Sequence, residues 1–312
     1  MAELKVFGHI TPDTDSTCAP IVYAWFLNEF LEVPAKAYVT GSLNKETAYV
    51  LDYFEVETPE VIKSLSENDE VVIVDTNNPE ELPDGIKSAQ IAEIIDHHKL
   101  VGGLTTESPI SITMKPLGCS STIVWQMIDE YEDVVMPASM AGLLLAGIIS
   151  DTLKFTSPTT TQDDKDAAEV LAEIAAVSVD ELAEKMFAAK SDLSGMSASD
   201  IVTMDSKVFE MSGKKLRVSV LETTNTEIAK SMKDELLSAM VSKIEEEKSD
   251  HMFFFIVDII AGNADLLVSD TQAKSLAEKA FSKEFVDDYM HLPGVVSRKK
   301  QMIPALEGAI AS

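Results

Sequence analysis

Short apolar runs alternate with longer stretches of helical periodicity in the first half of the chain. Runs rich in valine and isoleucine at residues 4–10, 70–75 and 92–96 each end at polar residues, which predicts strands. Apolar residues recur at helical spacing at 19–31, 45–54, 121–130, 138–149, 162–176 and 179–190. Strands that alternate with helices indicate βαβ units and a parallel sheet.

A small, polar segment at residues 191–195 interrupts this pattern and is interpreted as a hinge. Beyond it, the pattern predicts helices at 197–205 and 226–247 and a strand at 215–222. Two further strands, 252–258 and 264–269, are joined by a turn that contains Gly262 and Asn263. We therefore expect two α/β domains, residues 1–190 and 196–312.

Composition narrows the class of protein. The chain of 312 residues is 46% hydrophobic and carries a formal net charge of −28. Such a charge repels nucleic-acid backbones and anionic membranes, so we expect neither as a partner. Residues 1–10 lack the basic segment and the long apolar run of a secretory signal. With only two cysteines, Cys18 and Cys119, this favours a cytoplasmic protein without disulfides.

Metal-ligand side chains follow apolar segments at four separate places. Three of these places are strand ends, and parallel strands gather ligands at their carboxyl edge, so the side chains should converge. Imidazole with carboxylate suits Mn²⁺, Zn²⁺ or Co²⁺, and the number of carboxylates suits two ions that share a bridging Asp. Singly, each Asp could cap a helix and His9 could be a core residue. The residues are His9, Asp13, Asp15, Asp75, Asp96, His97, His98 and Asp151.

A basic segment near the C-terminus stands out against the acidic background. Residues 297–301 read Ser-Arg-Lys-Lys-Gln and contain Arg298, one of only two arginines in the chain. The segment could simply be a solvated helix start after Pro293 and Gly294. It could also neutralise phosphate oxygens through a guanidinium and ammonium groups. Together with two metal ions, it predicts a phosphate ester or anhydride bound between the domains.

A third segment, residues 118–121, reads Gly-Cys-Ser-Ser and precedes a predicted helix. Its backbone N–H groups could bind an anion. Ordinary helix capping explains the same residues equally well.

These segments, in this order and over essentially the whole chain, resemble the family II inorganic pyrophosphatases of the DHH phosphoesterase superfamily. Asp96-His97-His98 is similar to the superfamily signature, and Ser297-Arg298-Lys299-Lys300-Gln301 narrows the resemblance to the pyrophosphatases. The resemblance implies an N-terminal parallel-sheet DHH domain, a smaller C-terminal α/β domain and an active site in the cleft between them. It also implies a cytoplasmic homodimer joined through the N-terminal domain.

The resemblance further implies roles for individual residues. One ion would be held by His9, Asp13 and Asp75, and the other by Asp15, Asp75, His97 and Asp151. His98 would face the substrate, and Arg298, Lys299 and Lys207 would bind its phosphates. Lys207 also fits a solvent-facing lysine at a helix edge. The family uses Mn²⁺ or Co²⁺ in the tight sites and Mg²⁺ with the substrate.

The implied reaction is hydrolysis of pyrophosphate to two orthophosphates by a hydroxide that bridges the metals. Closure of the domains about residues 191–195 would bring the cations onto the phosphates. An exopolyphosphatase of the same superfamily is the nearest alternative. A DHH phosphodiesterase is another, but the chain lacks the Gly-Gly-Gly-His segment of that class. A metal-binding protein without catalysis is the third.

Overall fold

A computed structural model of the protein describes residues 3–311, apart from the side chain of Lys299. The chain divides into two compact units, one ending at Ala189 and the other beginning at Lys190. Each unit has its own sheet and its own cores. Within the described residues, no helix has both the length and the apolar character to cross a bilayer.

The N-terminal unit is built on a six-stranded sheet in the order β3-β2-β1-β4-β5-β6, with every pair parallel. The order reverses between β1 and β4, so ligands are expected at the carboxyl ends of those strands. The strands are β1 Leu4–Phe7, β2 Ala35–Val39, β3 Glu60–Val61, β4 Glu70–Val74, β5 Gln90–Asp96 and β6 Ser111–Met114. The helices are α1 Thr14–Glu29, α2 Lys45–Tyr53, α3 Ser120–Asp129, α4 Ala138–Asp151, α5 Gln162–Ala175 and α6 Val179–Lys190.

Both faces of this sheet are covered, which explains why its central strands are apolar throughout. In β4, Val72 and Val74 pack into the core that contains α1 and α4, whereas Val71 and Ile73 belong to a smaller core on the opposite face. Helix α4 is buried from Ala141 to Ser150 because it lies at the centre of the larger core. The carboxyl ends of the central strands are therefore supported by a hydrophobic core on each face of the sheet.

The C-terminal unit contains a five-stranded mixed sheet in the order β11-β10-β9-β8-β7. Strands β8 and β9 pair in parallel and the other pairs are antiparallel. The strands are β7 Asp205–Met211, β8 Lys214–Thr223, β9 His251–Asp258, β10 Asn263–Val268 and β11 Tyr289–Pro293. The helices are α7 Ala198–Thr203, α8 Thr226–Ser231, α9 Lys233–Glu247, α10 Thr271–Phe281 and α11 Ile303–Ala311, with a π-helical turn at Arg298–Met302 before the last.

The α/β class, with a parallel sheet first and a smaller mixed sheet second, is confirmed. Several boundaries predicted from the pattern are wrong. Helix α1 begins at Thr14, not at residue 19, because Asp13 and Ser16 form a capping box. The long helix predicted at 226–247 is broken at Met232 into α8 and α9. The helix predicted at 197–205 ends at Thr203, and β7 begins directly after Met204.

Candidate metal centre

Asp75 lies at the middle of the predicted ligands. It follows β4, is 1% exposed, and takes a left-handed backbone conformation with φ of 69°. Asp tolerates that conformation better than most residues. Its Oδ2 is 3.5 Å from Nε2 of His9, and its Oδ1 is 3.4 Å from Nε2 of His97. One carboxylate thus faces an imidazole on each side.

The first group of ligands joins the ends of β1 and β4. His9 follows β1, and its Nε2 lies 3.3 Å from Oδ2 of Asp13. Its Nδ1 is 2.9 Å from the carbonyl oxygen of Ile10, so Nε2 is the nitrogen that faces the carboxylates. Asp13 is fixed at the start of α1, where its Oδ1 accepts from the backbone N–H of Ser16 at 2.9 Å. His9, Asp13 and Asp75 can together hold an ion.

The second group joins α1, β4, β5 and α4. Asp15 in the first turn of α1 is completely buried, and Asp151 is the last residue of α4. His97 follows β5, and its Nε2 lies 3.7 Å from Oδ2 of Asp151. Asp15, Asp75, His97 and Asp151 each offer one ligand atom within 4.8 Å of the others. All six predicted metal ligands therefore fall into two groups that share Asp75.

Two observations fit these groups to metal ions. In the described structure, Nε2 of His97 is buried without a hydrogen-bond partner, although carboxylate oxygens surround it. Distances of 3.4 and 3.7 Å from that nitrogen to the oxygens of Asp75 and Asp151 suit two ligands of one ion better than a hydrogen bond. The donor set of imidazoles and carboxylates suits a borderline cation such as Mn²⁺.

The adjacent residues His97 and His98 differ in exposure. The His97 side chain is 12% exposed, whereas that of His98 is 51% exposed. Buried Asp96 accepts from the backbone N–H of His98 at 3.0 Å and lies 3.0 Å from its Nδ1. Asn77 Nδ2 donates to the other oxygen of Asp96 at 2.5 Å. Asp96 therefore orients a histidine that solvent can reach.

The charges in the centre are strongly coupled. Burial disfavours the imidazolium of His9, but the nearby carboxylates of Asp13 and Asp75 outweigh it and raise the pKa of His9 to about 11. Burial likewise disfavours the imidazolium of His97, but the nearby carboxylates of Asp75 and Asp15 outweigh it and raise the pKa of His97 to about 9. Burial and the charge of Asp75 raise the pKa of Asp15 to about 8. Burial opposes ionisation of Asp75, yet His9 and His97 hold the pKa of Asp75 below its usual range. The carboxylates thus attract positive charge at this point.

The predicted phosphate-binding cations belong to the C-terminal unit. Arg298 Nη2 lies 2.8 Å from Oδ1 of Asp205, and its Nη1 donates to the Asp205 carbonyl oxygen at 2.8 Å. The exposed Lys207 follows on the same strand, so its interpretation as a helix-edge lysine is wrong and the residue lies in β7. The side chain of Lys299 lies outside the described part of the structure. Arg298 therefore contacts the first residue of β7, and Lys207 is the third residue of the same strand.

The backbone N–H groups of the segment 118–121 contact a carboxyl side chain of the centre. The backbone N–H groups of Ser120 and Ser121 donate to the two oxygens of Asp15 at 2.7 and 2.9 Å. Both serines open α3. The glycine-cysteine-serine pattern suggested this possibility without identifying its partner, because Asp15 is more than a hundred residues away in sequence.

Comparisons with known proteins cover the whole chain. Residues 3–148 match the DHH family, N-terminal domain, and residues 184–309 match the DHHA2 domain. A Lactobacillus gasseri protein assigned as a manganese-dependent inorganic pyrophosphatase is 38% identical over 311 residues, which is 99% of each chain. The chain belongs to the manganese-dependent, family II inorganic pyrophosphatases.

Solved structures agree with membership of this family. The crystal structure of a protein from Methanococcus jannaschii assigned to the family II inorganic pyrophosphatases has 34% identity and a TM-score of 0.68. The match covers 99% of this pyrophosphatase-family chain and 100% of the other. An exopolyphosphatase-related protein from Bacteroides fragilis has 15% identity and a TM-score of 0.51, so that likeness shows a shared fold alone.

Proposed function

We propose that this chain hydrolyses inorganic pyrophosphate to two orthophosphates with the aid of two manganese ions. The observation that carries the proposal is the position of Asp75 between His9 and His97, shared by two ligand groups. Membership of the manganese-dependent pyrophosphatase family supports the same metal and substrate.

In this proposal each ion has its own set of ligands, and Asp75 belongs to both sets. His9, Asp13 and Asp75 hold one, and Asp15, Asp75, His97 and Asp151 hold the other. When bound, the two ions would supply Lewis acidity that activates water and offsets the charge of the phosphates. Co²⁺ has the same preference for these donors and is the natural substitute, while Mg²⁺, which favours oxygen ligands, accompanies the substrate.

The protein's own contribution is to fix charge around the substrate. The hydrogen bond from Nδ1 of His98 to Asp96 raises the pKa of His98, and in the protonated ring Nε2 also carries a hydrogen that it can donate to a phosphate oxygen. Arg298, Lys299 and Lys207 bind the phosphates and spread their negative charge. Arg298 pairs with the carboxylate of Asp205, and this contact with a negatively charged group supports a role for its guanidinium in binding phosphate.

The same proposal includes the roles of the two domains, the cellular location and the oligomeric state. Residues 191–195 link domains 1–190 and 196–312 as a hinge, and the cations of the second domain neutralise the phosphates of the substrate. The chain works in the cytoplasm as a homodimer joined through its N-terminal domain.

The deciding assay measures orthophosphate released from pyrophosphate, long-chain polyphosphate and a dinucleotide, each with Mn²⁺ and with Mg²⁺ alone. We expect pyrophosphate to be the best substrate and Mn²⁺ to give the higher rate. Faster release from polyphosphate would assign the exopolyphosphatase activity instead. No release from any of the three, with metal bound, would mean a metal-binding protein without catalysis.

A further inference from the structure

A loop between β6 and α3 contacts the side chains of one ligand group. This metal-facing loop consists of residues 117–121, and Ser120 and Ser121 at its end begin α3. Besides the two N–H groups that bind Asp15, the hydroxyl of Ser121 donates to Oδ1 of Asp15 at 2.5 Å. Three hydrogen bonds from the N-terminal end of a helix thus hold the completely buried carboxyl group of Asp15 in place.

The same loop contacts two more ligands. The Ser120 hydroxyl donates to Oδ1 of Asp75 at 2.8 Å, and this is the oxygen that faces His97. Nδ1 of His97 lies 3.1 Å from the carbonyl oxygen of Leu117, which orients Nε2 toward the carboxylates. The loop's contacts with metal ligands fall on Asp15, Asp75 and His97, which belong to the second group.

Asp164 anchors this loop from the side away from the ligands. It is 0% exposed and lies in the first turn of α5. Its two oxygens accept from the backbone N–H of Gly118 at 2.9 and 3.1 Å and from the Thr122 hydroxyl at 2.7 Å. They also accept from the N–H and the hydroxyl of Thr161, both at 2.7 Å. A buried carboxylate is costly unless its oxygens are satisfied, and here donors satisfy both.

Two glycines leave room for this arrangement. A Cβ atom at Gly118 would lie 2.7 Å from Oδ2 of Asp164, which is closer than carbon and oxygen pack. A Cβ atom at Gly147 in α4 would clash with the Ser121 hydroxyl and lie 2.8 Å from Oδ1 of Asp15. Any side chain at either position would displace the loop or its ligand. The close packing therefore continues from Asp164 through the loop to Asp15.

We propose that Asp164 is a positioning residue that holds the metal-facing loop in the shape that orients Asp15, Asp75 and His97 for one ion. The inference rests on the proposed two-ion centre. It predicts an asymmetric effect, because the loop contacts the second ligand group and not His9 or Asp13 within the described contacts. Loss of the hydrogen bonds from Asp164 therefore lowers the affinity for the ion held by Asp15, His97 and Asp151 and leaves the affinity for the other ion unchanged.

Asp164→Asn is the direct test. The substitution keeps the shape, but backbone N–H groups face both oxygens, so the amide NH₂ meets a donor in either orientation. The matched control is Asp163→Asn, because Asp163 lies in the same helical turn but is exposed and bonds only Gln126 in the described contacts. Binding of Mn²⁺ is measured by titration, with the electron paramagnetic resonance signal of the free ion as readout and circular dichroism as a check on folding.

We expect two binding steps in the unsubstituted protein and in Asp163→Asn. In Asp164→Asn one step should weaken by about 10- to 100-fold, the usual effect of losing a residue that orients metal ligands, and the other should stay unchanged. Two unchanged steps, or two steps weakened equally, would overturn the role of Asp164 while leaving the two-ion centre intact. Fewer than two steps in the unsubstituted protein would overturn the centre itself and this inference with it.

Thr122 provides a second variant in case Asp164→Asn does not fold. Thr122→Val removes one hydroxyl that donates to Asp164 and keeps the side-chain volume close to the original. We expect a smaller weakening of the same single step, and we expect Thr122→Ser, which keeps the hydroxyl, to restore it. Equal affinities for the valine and serine variants would contradict the proposal.

Discussion

In the N-terminal unit, the candidate metal ligands are largely buried. They follow strands or lie at helix ends, and a hydrophobic core on each face of the sheet supports these positions. The cations of the C-terminal unit lie instead on β7, the edge strand of its sheet, and on a π-helical turn. Asp75 is 1% exposed and has histidines on both sides, whereas Lys207 is exposed and has no ion pair within the described contacts.

This difference suits two different tasks. A metal centre needs ligands at fixed distances before the ion arrives, and buried hydrogen bonds provide that order. A phosphate clamp has to let substrate in and product out, so cations on surface elements are better placed for it. Substitutions in the first region should therefore affect metal binding and catalysis together, and those in the second should affect substrate use alone.

Asp75→Ala should have the largest effect. It removes the one carboxylate that both ligand groups share, so both ions lose a ligand and phosphate release should fall by at least about 1000-fold. The fold should persist, because Asp75 lies after β4 and outside the hydrophobic cores. Phosphate release with Mn²⁺ and circular dichroism together provide the measurement. Full turnover in this variant would refute the bridging role.

Arg298→Ala should reduce kcat/KM for pyrophosphate by about 10- to 100-fold, because one charge-assisted contact to phosphate is lost. Binding of Mn²⁺ should not change. Lys300→Ala is the matched control, since it removes an exposed positive charge from the same turn. Equal losses in both variants would show that the net charge of the segment matters rather than the guanidinium. The same assay on Lys299→Ala tests whether that residue shares the clamp, with weaker substrate use and intact metal binding as the expected result.

The metal-free protein should lose stability as the pH rises. Folding raises the pKa of His97 to about 9 and that of His9 to about 11, so their contribution is complete below the unfolded value near 6.5 and is lost through the folded values. The raised pKa of Asp15, about 8, acts in the same direction, because the folded state binds the extra proton. We expect a loss of at least about 3 kcal/mol between pH 6 and pH 10, which is the share of His97 alone.

Urea unfolding at several pH values, with chelator and with Mn²⁺, measures this effect. Bound Mn²⁺ replaces the protons, so the metal-loaded protein should keep its stability over the same range. A metal-free protein that becomes more stable as the pH rises would contradict the assigned couplings.

Lys207→Ala should have the smallest effect, a reduction in kcat/KM of about tenfold or less. Lys207 is exposed and stands two residues from Asp205, whose carboxylate already pairs with Arg298. Lys215→Ala, on the neighbouring strand of the same sheet, is a control for charge loss. A larger loss from Lys207→Ala than from Arg298→Ala would reverse the order of the two cations in the clamp.

The convergence of these side chains could be predicted from the sequence for a physical reason. His9, Asp75 and His97 follow apolar strands, and parallel strands bring such positions together without any further information. Asp13, Asp15 and Asp151 lie at the ends of α1 and α4, and their ligand atoms lie close to those of the strand-end residues. The residues that meet in the structure are therefore those that the sequence places directly after strands or at helix ends.

Other features depend on contacts that local pattern does not encode. Asp164 looks like an ordinary residue in the first turn of a helix, and only the packing of α5 beside residues 117–122 shows it to be buried. Strand β7 was missed because its residues are mostly exposed at a sheet edge, so they lack the apolar alternation of a half-buried strand. Likewise, adjacent histidines differ in exposure because His97 turns toward Asp75 while His98 is held by Asp96.

The most direct test of whether two ions share Asp75 is to locate the ions. Diffraction from crystals grown with Mn²⁺, measured at the manganese absorption edge, gives their positions. We expect two anomalous peaks on either side of Asp75, one beside His9 and Asp13 and the other beside Asp15, His97 and Asp151. A single peak, or two peaks that do not both contact Asp75, would contradict the sharing of Asp75.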